Sequence, residues 1–298
     1  MNRTKRCIVF ILLLLISVAH LKSQDVQEDN VYRIITRQGN EFIGTVVSEN
    51  QDVIVLKTTA FGEVTIRKED IRRQVIISAD RFKDGEFWPD NPQSTRYLWT
   101  PNGYALEKGE AYYQNIWVLY NQVSLGVTEN FSISAGLIPT LLLGAEAMPL
   151  WVVPKFSIPI EKNKVNMSAG AFIGTVAGEE TGGFGIAFGT LTLGDRDNNV
   201  NLGLGWGFAD GRWADFPVIN LGIMYRVSPR GYFISENYYI NLFDEGFGII
   251  SAGGRRIIGT VGLDFALAIP LVAGMDRLIA LPFLGFTVPL NGKHSRGN

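Results

Sequence analysis

Across residues 199–208 the side chains alternate without interruption. Val200, Leu202, Leu204, Trp206 and Phe208 share one parity, and Asn199, Asn201, Gly203, Gly205 and Gly207 share the other. A period of two belongs to a β-strand, whose successive side chains point to opposite faces. One face here is bulky and apolar, the other almost bare. In water the outer face of a half-buried strand is polar, whereas a strand that crosses a bilayer turns apolar residues to lipid and small or polar residues to a lumen. Hydrocarbon offers no water to backbone N–H and C=O groups, so strands cross a membrane only as a closed barrel. The stretch therefore requires the rest of the chain to supply enough similar strands to close a sheet.

Two apolar segments, 131–154 and 257–290, compete with that reading because their hydropathy would suit membrane helices. Prolines argue against helices: Pro139, Pro149 and Pro154 interrupt the first segment, and Pro270, Pro282 and Pro289 the second. Each would cost about 3 kcal/mol in a helix interior. Alternation argues the same way. In 260–269, Val261, Leu263, Phe265, Leu267 and Ile269 share a face opposite Thr260, Gly262, Asp264, Ala266 and Ala268. A strand turns Asp264 into a lumen, while a helix would carry it to lipid or a neighbour.

The same criteria predict twelve strands: 95–105, 112–127, 131–138, 150–160, 165–177, 184–193, 200–208, 216–227, 232–242, 247–255, 260–269 and 278–290. The first is interrupted by Pro101-Asn102-Gly103 and is included because closure favours an even count; without it the count becomes eleven and the parity fails. Tight turns such as Thr128-Glu129-Asn130 and Ser228-Pro229-Arg230-Gly231 alternate with longer connections around 141–149, 178–183, 209–215, 243–246 and 271–277. Tyr97, Trp99, Tyr112, Tyr113, Trp151, Trp213, Phe216, Tyr232, Phe233 and Phe243 fall near expected strand ends, where girdles of aromatic residues form at membrane interfaces.

Ahead of this region lie three further parts. Residues 1–23 combine Arg3, Lys5 and Arg6 with an apolar run from Cys7 to Ala19, the pattern of a secretory signal peptide and too short to span a bilayer. The sole cysteine is Cys7, so a processed chain would hold no disulfide and no thiol chemistry. Residues 24–78 read as a small soluble β-domain with strands at 31–37, 41–48, 53–59 and 63–67. A polar linker, 79–93, follows; the barrel occupies 94–290 and a polar tail 291–298. Between residues 25 and 90 the chain carries nine Lys/Arg against thirteen Asp/Glu, which excludes a phosphate-binding, nucleic-acid role.

The 95–290 region, with its export signal, alternation and turn rhythm, resembles Gram-negative outer-membrane β-barrel proteins. The motif Arg-Gln-Gly-Asn-Glu-Phe-Ile-Gly-Thr-Val and the strand after it resemble SH3-like and Sm-like small barrels. The fold expected is thus all-β: a transmembrane, antiparallel, up-and-down β-barrel of about twelve strands with a small N-terminal soluble β-domain. The resemblance implies a porin-like protein of the cell outer membrane, bathed in outer-membrane lipid, with its N-terminal domain in the periplasm and open to a protein partner there.

Chemistry is sparse. The two histidines, His20 and His294, lie in the signal and the tail, which excludes a Ser-His-Asp set or a His-rich metal site in the wall. No catalytic, cofactor or metal residues are expected, and no enzyme activity. Expected lumen-facing residues are Lys155, Asn220, Arg226, Arg255, Asp264, Gly203, Gly205 and Gly207. Arg255 and Arg256 are consecutive, so only one can face inward. Glu236 shares its parity with Tyr232, Ile234, Tyr238 and Ile240, against Ser235, Asn237 and Asn241, so the pattern does not set its face. Lumen charges line a constriction or pair with one another in a filled barrel. The function expected is non-enzymatic binding or passage of a small solute; the alternative is a closed barrel that anchors the N-terminal domain. Gly203, Gly205 and Gly207, with Gly185 and Gly189 on the preceding strand, are expected to leave one lumen wall nearly bare.

Overall fold

A computed structural model of the chain describes residues 30–290 apart from 59–60, 78–81, 84–85, 180–181, 243–244, 273, 276 and 278. The expected signal peptide, the polar tail and Phe243 lie outside the described residues. The chain divides into two compact units, Met1–Gly85 and Glu86–Asn298.

The first unit is a five-stranded antiparallel sheet of β1 (Val31–Thr36), β2 (Glu41–Glu49), β3 (Val53–Thr58), β4 (Gly62–Arg67) and β5 (Ile71–Ile77), in the order β4-β3-β2-β1-β5. Alternating residues bury one face, with Ile34, Ile54, Leu56 and Ile66 at its centre and Phe42, Val46, Val64 and Ile71 against them. Gly39 takes φ +88° in the β1–β2 turn, a left-handed conformation that a side chain would strain. The sequence suggested four strands. The fifth, β5, follows a single 3-10 turn at Lys68–Asp70, and its Arg72-Arg73 pair hides the alternation that lets it add to β1.

Two two-residue strands, β6 (Phe82–Lys83) and β7 (Glu86–Phe87), precede the barrel. The barrel wall comprises β8 (Ala111–Ile116), β9 (Tyr120–Gly126), β10 (Phe131–Leu137), β11 (Met148–Glu161), β12 (Val165–Ala177), β13 (Phe184–Gly194), β14 (Asn199–Ala209), β16 (Val218–Ser228), β17 (Gly231–Leu242), β18 (Glu245–Ile258), β19 (Val261–Leu271) and β20 (Leu281–Pro289). A two-residue β15 (Arg212–Trp213) sits in the β14–β16 connection. Every neighbouring pair is antiparallel, and β20 pairs with β8 to close the sheet, so twelve full strands form the barrel. One end carries tight turns and the other the longer connections; we call them the turn end and the loop end.

The number twelve is reached differently from the sequence reading. Residues 95–105 are not a wall strand. They run inside the barrel, where 91–98 are all buried. The missing strand comes from 112–127, which folds back on itself as β8 and β9 around Trp117-Val118-Leu119. No Gly, Pro or Asn marks that turn, and Trp117 and Val118 both take positive φ, 51° and 68°. Flanking asparagines hold it. Asn115 donates to the Val118 carbonyl and accepts from the Val118 N–H, both at 3.1 Å, while Asn121 donates to the Leu119 carbonyl at 2.7 Å. Those local side-chain bonds replace the hairpin bonds the backbone would otherwise need.

Outward parity on the wall is apolar, as in Leu202 and Leu204 on β14, Leu263, Phe265 and Leu267 on β19, and Leu191 and Leu193 on β13, all exposed. A closed sheet wrapped in exposed hydrocarbon side chains is stable only where lipid replaces water. Among the expected girdle aromatics, Trp213, Phe216 and Phe233 are exposed on the outer surface. Tyr97, Tyr112, Trp151 and Tyr232 are instead buried inside, because an inserted segment fills the lumen and gives large rings something to pack against.

Candidate functional site

The lumen is divided in two. Its turn-end half is filled by residues 88–110, and the anchors of that insert come from almost every side of the wall. The strand pattern puts polar residues inward, and the insert uses them to satisfy its own backbone, which has no sheet partner except one bridge between Arg96 and Pro101.

At the insert's apex, residues Tyr97 to Thr100 turn tightly, with the Tyr97 N–H on the Thr100 carbonyl at 3.0 Å. Three successive N–H groups, of Leu98, Trp99 and Thr100, donate to the Glu236 carboxylate at 2.7, 2.8 and 2.7 Å. Tyr238 donates its hydroxyl to the same carboxylate. Successive N–H groups form an anion-binding concavity, and here the anion is a wall side chain. This sets the face of Glu236: it points inward with Tyr232, Ile234 and Tyr238, and Tyr232 and Ile234 share a buried cluster with Tyr97 and Leu98 of the insert. The register of β17 against β18 runs through without a shift.

On β19, two strands along the wall from Glu236, Asp264 is clamped by two guanidiniums. Arg255 reaches it at 2.6 and 3.2 Å and Arg96, from the insert, at 3.1 Å. Arg255 also donates to the Gln93 and Tyr97 carbonyls, both at 2.8 Å. Through its two terminal nitrogens Arg96 also donates to the Tyr97 and Leu98 carbonyls and to the Thr287 hydroxyl. Arg255 is 1% exposed and Asp264 2%. Arg256, next in sequence, is exposed on the outside. Buried ions of this kind persist only when paired and hydrogen-bonded throughout.

Lys155 caps the Asn102 and Tyr104 carbonyls at 3.1 and 2.6 Å. Arg226 binds Asp197 at 2.6 Å and the carbonyls of Pro89 and Pro229, with its guanidinium over the rings of Trp88 and Tyr232. Asn220 donates to the Asn237 carbonyl at 3.2 Å. Tyr97 donates to Asn199 at 2.5 Å and lies over Gly222, where a Cβ would sit 2.5 Å from its ring. Thus Lys155, Arg255 and Asp264, with Glu236, converge on one insert, whereas Arg226 holds its beginning. Arg96 and Tyr97, which make the central contacts, escaped the sequence reading because they were placed in a wall strand.

Above the apex the loop-end half of the lumen is open space. A cavity of about 440 Å³ is floored by Leu98, Trp99, Thr100 and Pro101 and walled largely by Val153, Phe172, Ile186, Phe188, Val218, Ile240, Ile249 and Phe283. Gly203 and Gly205 line it, while Gly207 lies higher on the same face of β14. The expected bare wall is only partly present. Gly185 and Gly189 share the outward parity of Leu191 and Leu193, and Gly185 is covered on the outside by the Phe208 ring. At this level the inward residues of β13 are the bulky Ile186 and Phe188, followed by Thr190, and Ile186 comes within 2.5 Å of where a Gly205 Cβ would stand. The polar residues of the cavity are mostly neutral, Gln122, Thr190, Asn220, Tyr238 and Ser251 among them, and its two charged neighbours, Arg96 and Glu236, are already engaged.

No family model and no curated protein matches the chain. Among solved structures it is similar to a KdgM porin in complex with disordered oligogalacturonate, at TM-score 0.46 and 8% identity over 61% of this chain and 98% of that one. It is also similar to OmpT (in-vitro folded), an outer membrane protein of Vibrio cholerae, at TM-score 0.31 and 11% identity over 87% and 94%. Both are outer-membrane barrels. A closed antiparallel sheet with a hydrocarbon-facing outer surface and its buried charged side chains turned inward is, in its own right, a membrane-spanning structure, and the chain is an outer-membrane β-barrel.

Proposed function

We propose that the barrel is a non-enzymatic vessel for a small, largely apolar solute, held in the loop-end cavity above a built-in plug. The observation that carries this is the contrast between a charged, densely hydrogen-bonded turn-end half and a largely apolar space of about 440 Å³ above it. That volume falls within the usual range of small-molecule pockets, about 300–1,000 Å³ with mostly apolar walls and a few polar groups. Glu236 and Asp264, the carboxylates beside the plug, are saturated with donors, which leaves neither as a general base. The plug crosses the path a water-filled pore would take. On this reading the turn end faces the periplasm, following the rule of short periplasmic turns and longer outer loops, and the N-terminal sheet meets a protein there.

The test uses the full chain in lipid nanodiscs. The neutral fluorophore N-phenyl-1-naphthylamine is expected to bind saturably, more weakly when Phe188→Asn puts an amide into the cavity wall. In planar bilayers the protein is expected to be electrically silent. Discrete conductance steps would replace the vessel with an open pore. A silent barrel without saturable binding would leave the anchor reading, in which the barrel serves only to hold the N-terminal unit.

A further inference from the structure

The barrel wall is not equally tall all round. β11, β12 and β18 have 14, 13 and 14 residues, but β8 has 6, and β9 and β10 have 7 each. A crossing strand needs about 9–11 residues. Six residues rise about 20 Å along the strand, and at a tilt near 40° that covers only about 15 Å of a ~25 Å apolar band. The register shows what the short hairpin leaves open. β8 pairs with β20 from Pro289 only as far as Gly285, opposite Ile116. Residues 281–284 of β20 run on toward the loop end with no strand on that side.

The chemistry of the gap is that of hydrocarbon. The hairpin tip, Trp117-Val118-Leu119, carries no polar side chain beyond the indole N–H, and Val118 is 79% exposed. The connections on either side, β10–β11 and β19–β20, also expose apolar residues, with Leu142 85% exposed and Leu141, Val272 and Ile279 exposed, beside the charged Glu146 and Arg277. The unpaired β20 edge is satisfied by one residue. Trp117 donates its backbone N–H to Leu284 at 3.0 Å and its indole N–H to Pro282 at 2.8 Å, and Pro282 has no N–H of its own to satisfy. Aromatic side chains line the cavity beside this edge. Trp117 contacts Phe283 and Trp99 with ring centroids 5.6 and 6.3 Å apart, and Trp99 contacts Tyr120 at 4.8 Å. Trp99, Trp117, Tyr120 and Phe283 all line the cavity.

We infer that the cavity opens sideways into the membrane through this gap, closed by the Trp117 indole, and that its occupant is a single acyl chain with an uncharged polar head drawn from the lipid layer. The inference rests on the vessel reading above and adds the ligand class and the route. An acyl chain matches the aliphatic and aromatic walls. A neutral head matches the neutral Thr190, Asn220 and Ser251 and avoids a floor whose charges are already paired. A fixed charge in the ligand would find no free partner among the cavity residues, and the plug closes the turn end.

The closing experiment places the full chain in nanodiscs that contain a monoacylglycerol with a diazirine at the chain terminus, and maps photolabelled residues by mass spectrometry. Labelling is expected at Trp99, Tyr120 and Phe283 inside the gap, in addition to the outer wall. Trp117→Ala, which removes the cover, is expected to raise the inner labelling at least threefold, and Trp117→Phe, which keeps an apolar cover without the indole donor, to fall between. Val118→Lys, which puts a charge at the tip without touching the cavity, is expected to lower it at least threefold; retained heat-modifiable migration on a gel shows that each variant is folded. Labelling confined to outward residues such as Leu202 and Leu204 overturns lateral access. If N-phenyl-1-naphthylamine still binds in that case, the vessel reading survives without it, and if neither probe enters, both fail.

Discussion

The two halves of the lumen are built from the same strands yet follow opposite rules. At the turn end, Lys155, Arg255, Asp264 and Asn199 point inward and each is consumed by the insert. At the loop end, the inward positions of neighbouring strands hold Val153, Phe172, Ile186, Phe188 and Ile249, and nothing from the chain covers them fully. In a channel filled with water the second set would be polar as well. On the proposed reading, the charged inward residues near the turn end serve an internal ligand, residues 88–110, and the apolar ones above the apex are left for a solute.

The strongest challenge to that contrast is Asp264→Ala. It leaves Arg96 and Arg255 buried without their shared carboxylate, and unfolding from lipid vesicles followed by tryptophan fluorescence is expected to show a loss of about 3–5 kcal/mol. A loss below about 1 kcal/mol would mean that the insert is held by packing and not by its ion clamp. Next comes Glu236→Gln, which keeps the shape but removes the charge from the N–H nest. A cost of about 1.5–3 kcal/mol is expected, with faster hydrogen exchange at Leu98, Trp99 and Thr100. In the other half Ile186→Asn is expected to leave stability within about 1 kcal/mol and to weaken fluorophore binding about tenfold, near 1.4 kcal/mol; equal binding would break the assignment of the cavity. The smallest effect belongs to Glu161→Gln at the turn end. Its exposed partner Lys164 lies three residues on, and a change below about 0.5 kcal/mol is expected in the same unfolding assay.

The wall was largely legible in the sequence, because lipid on one side and a polar interior on the other enforce a period of two at nearly every position. Leu202 and Asn201, or Phe265 and Asp264, declare their faces without help from neighbours. Where the interior is apolar the signal fades: Tyr232, Ile234 and Tyr238 looked like an outward set and made Glu236 ambiguous, although all four point inward. The candidate site was legible only in part. Lys155, Arg255 and Asp264 are recognisable as charges that lipid would reject, but their common partner was hidden. Residues 95–105 have the hydropathy of a wall strand and the turn residues Pro101-Asn102-Gly103, and in a closed barrel such a segment can go into the sheet or through its middle.

Local pattern is enough to make this chain a closed sheet in a membrane, since its prolines rule out long helices and its alternation leaves each strand one face for hydrocarbon. It also determined which parity of β14 faces inward, because glycine and asparagine on one side and leucine and tryptophan on the other allow one orientation. Only the tertiary structure decided which twelve segments form the wall. The hairpin at Trp117-Val118-Leu119 is held by Asn115 and Asn121, and the insert by Glu236, Asp264 and Arg255, the latter through contacts that span up to 168 residues of chain. Local pattern reports what surrounds a side chain. Whether those surroundings are lipid, lumen or another piece of the same chain is settled when distant strands close the barrel around it.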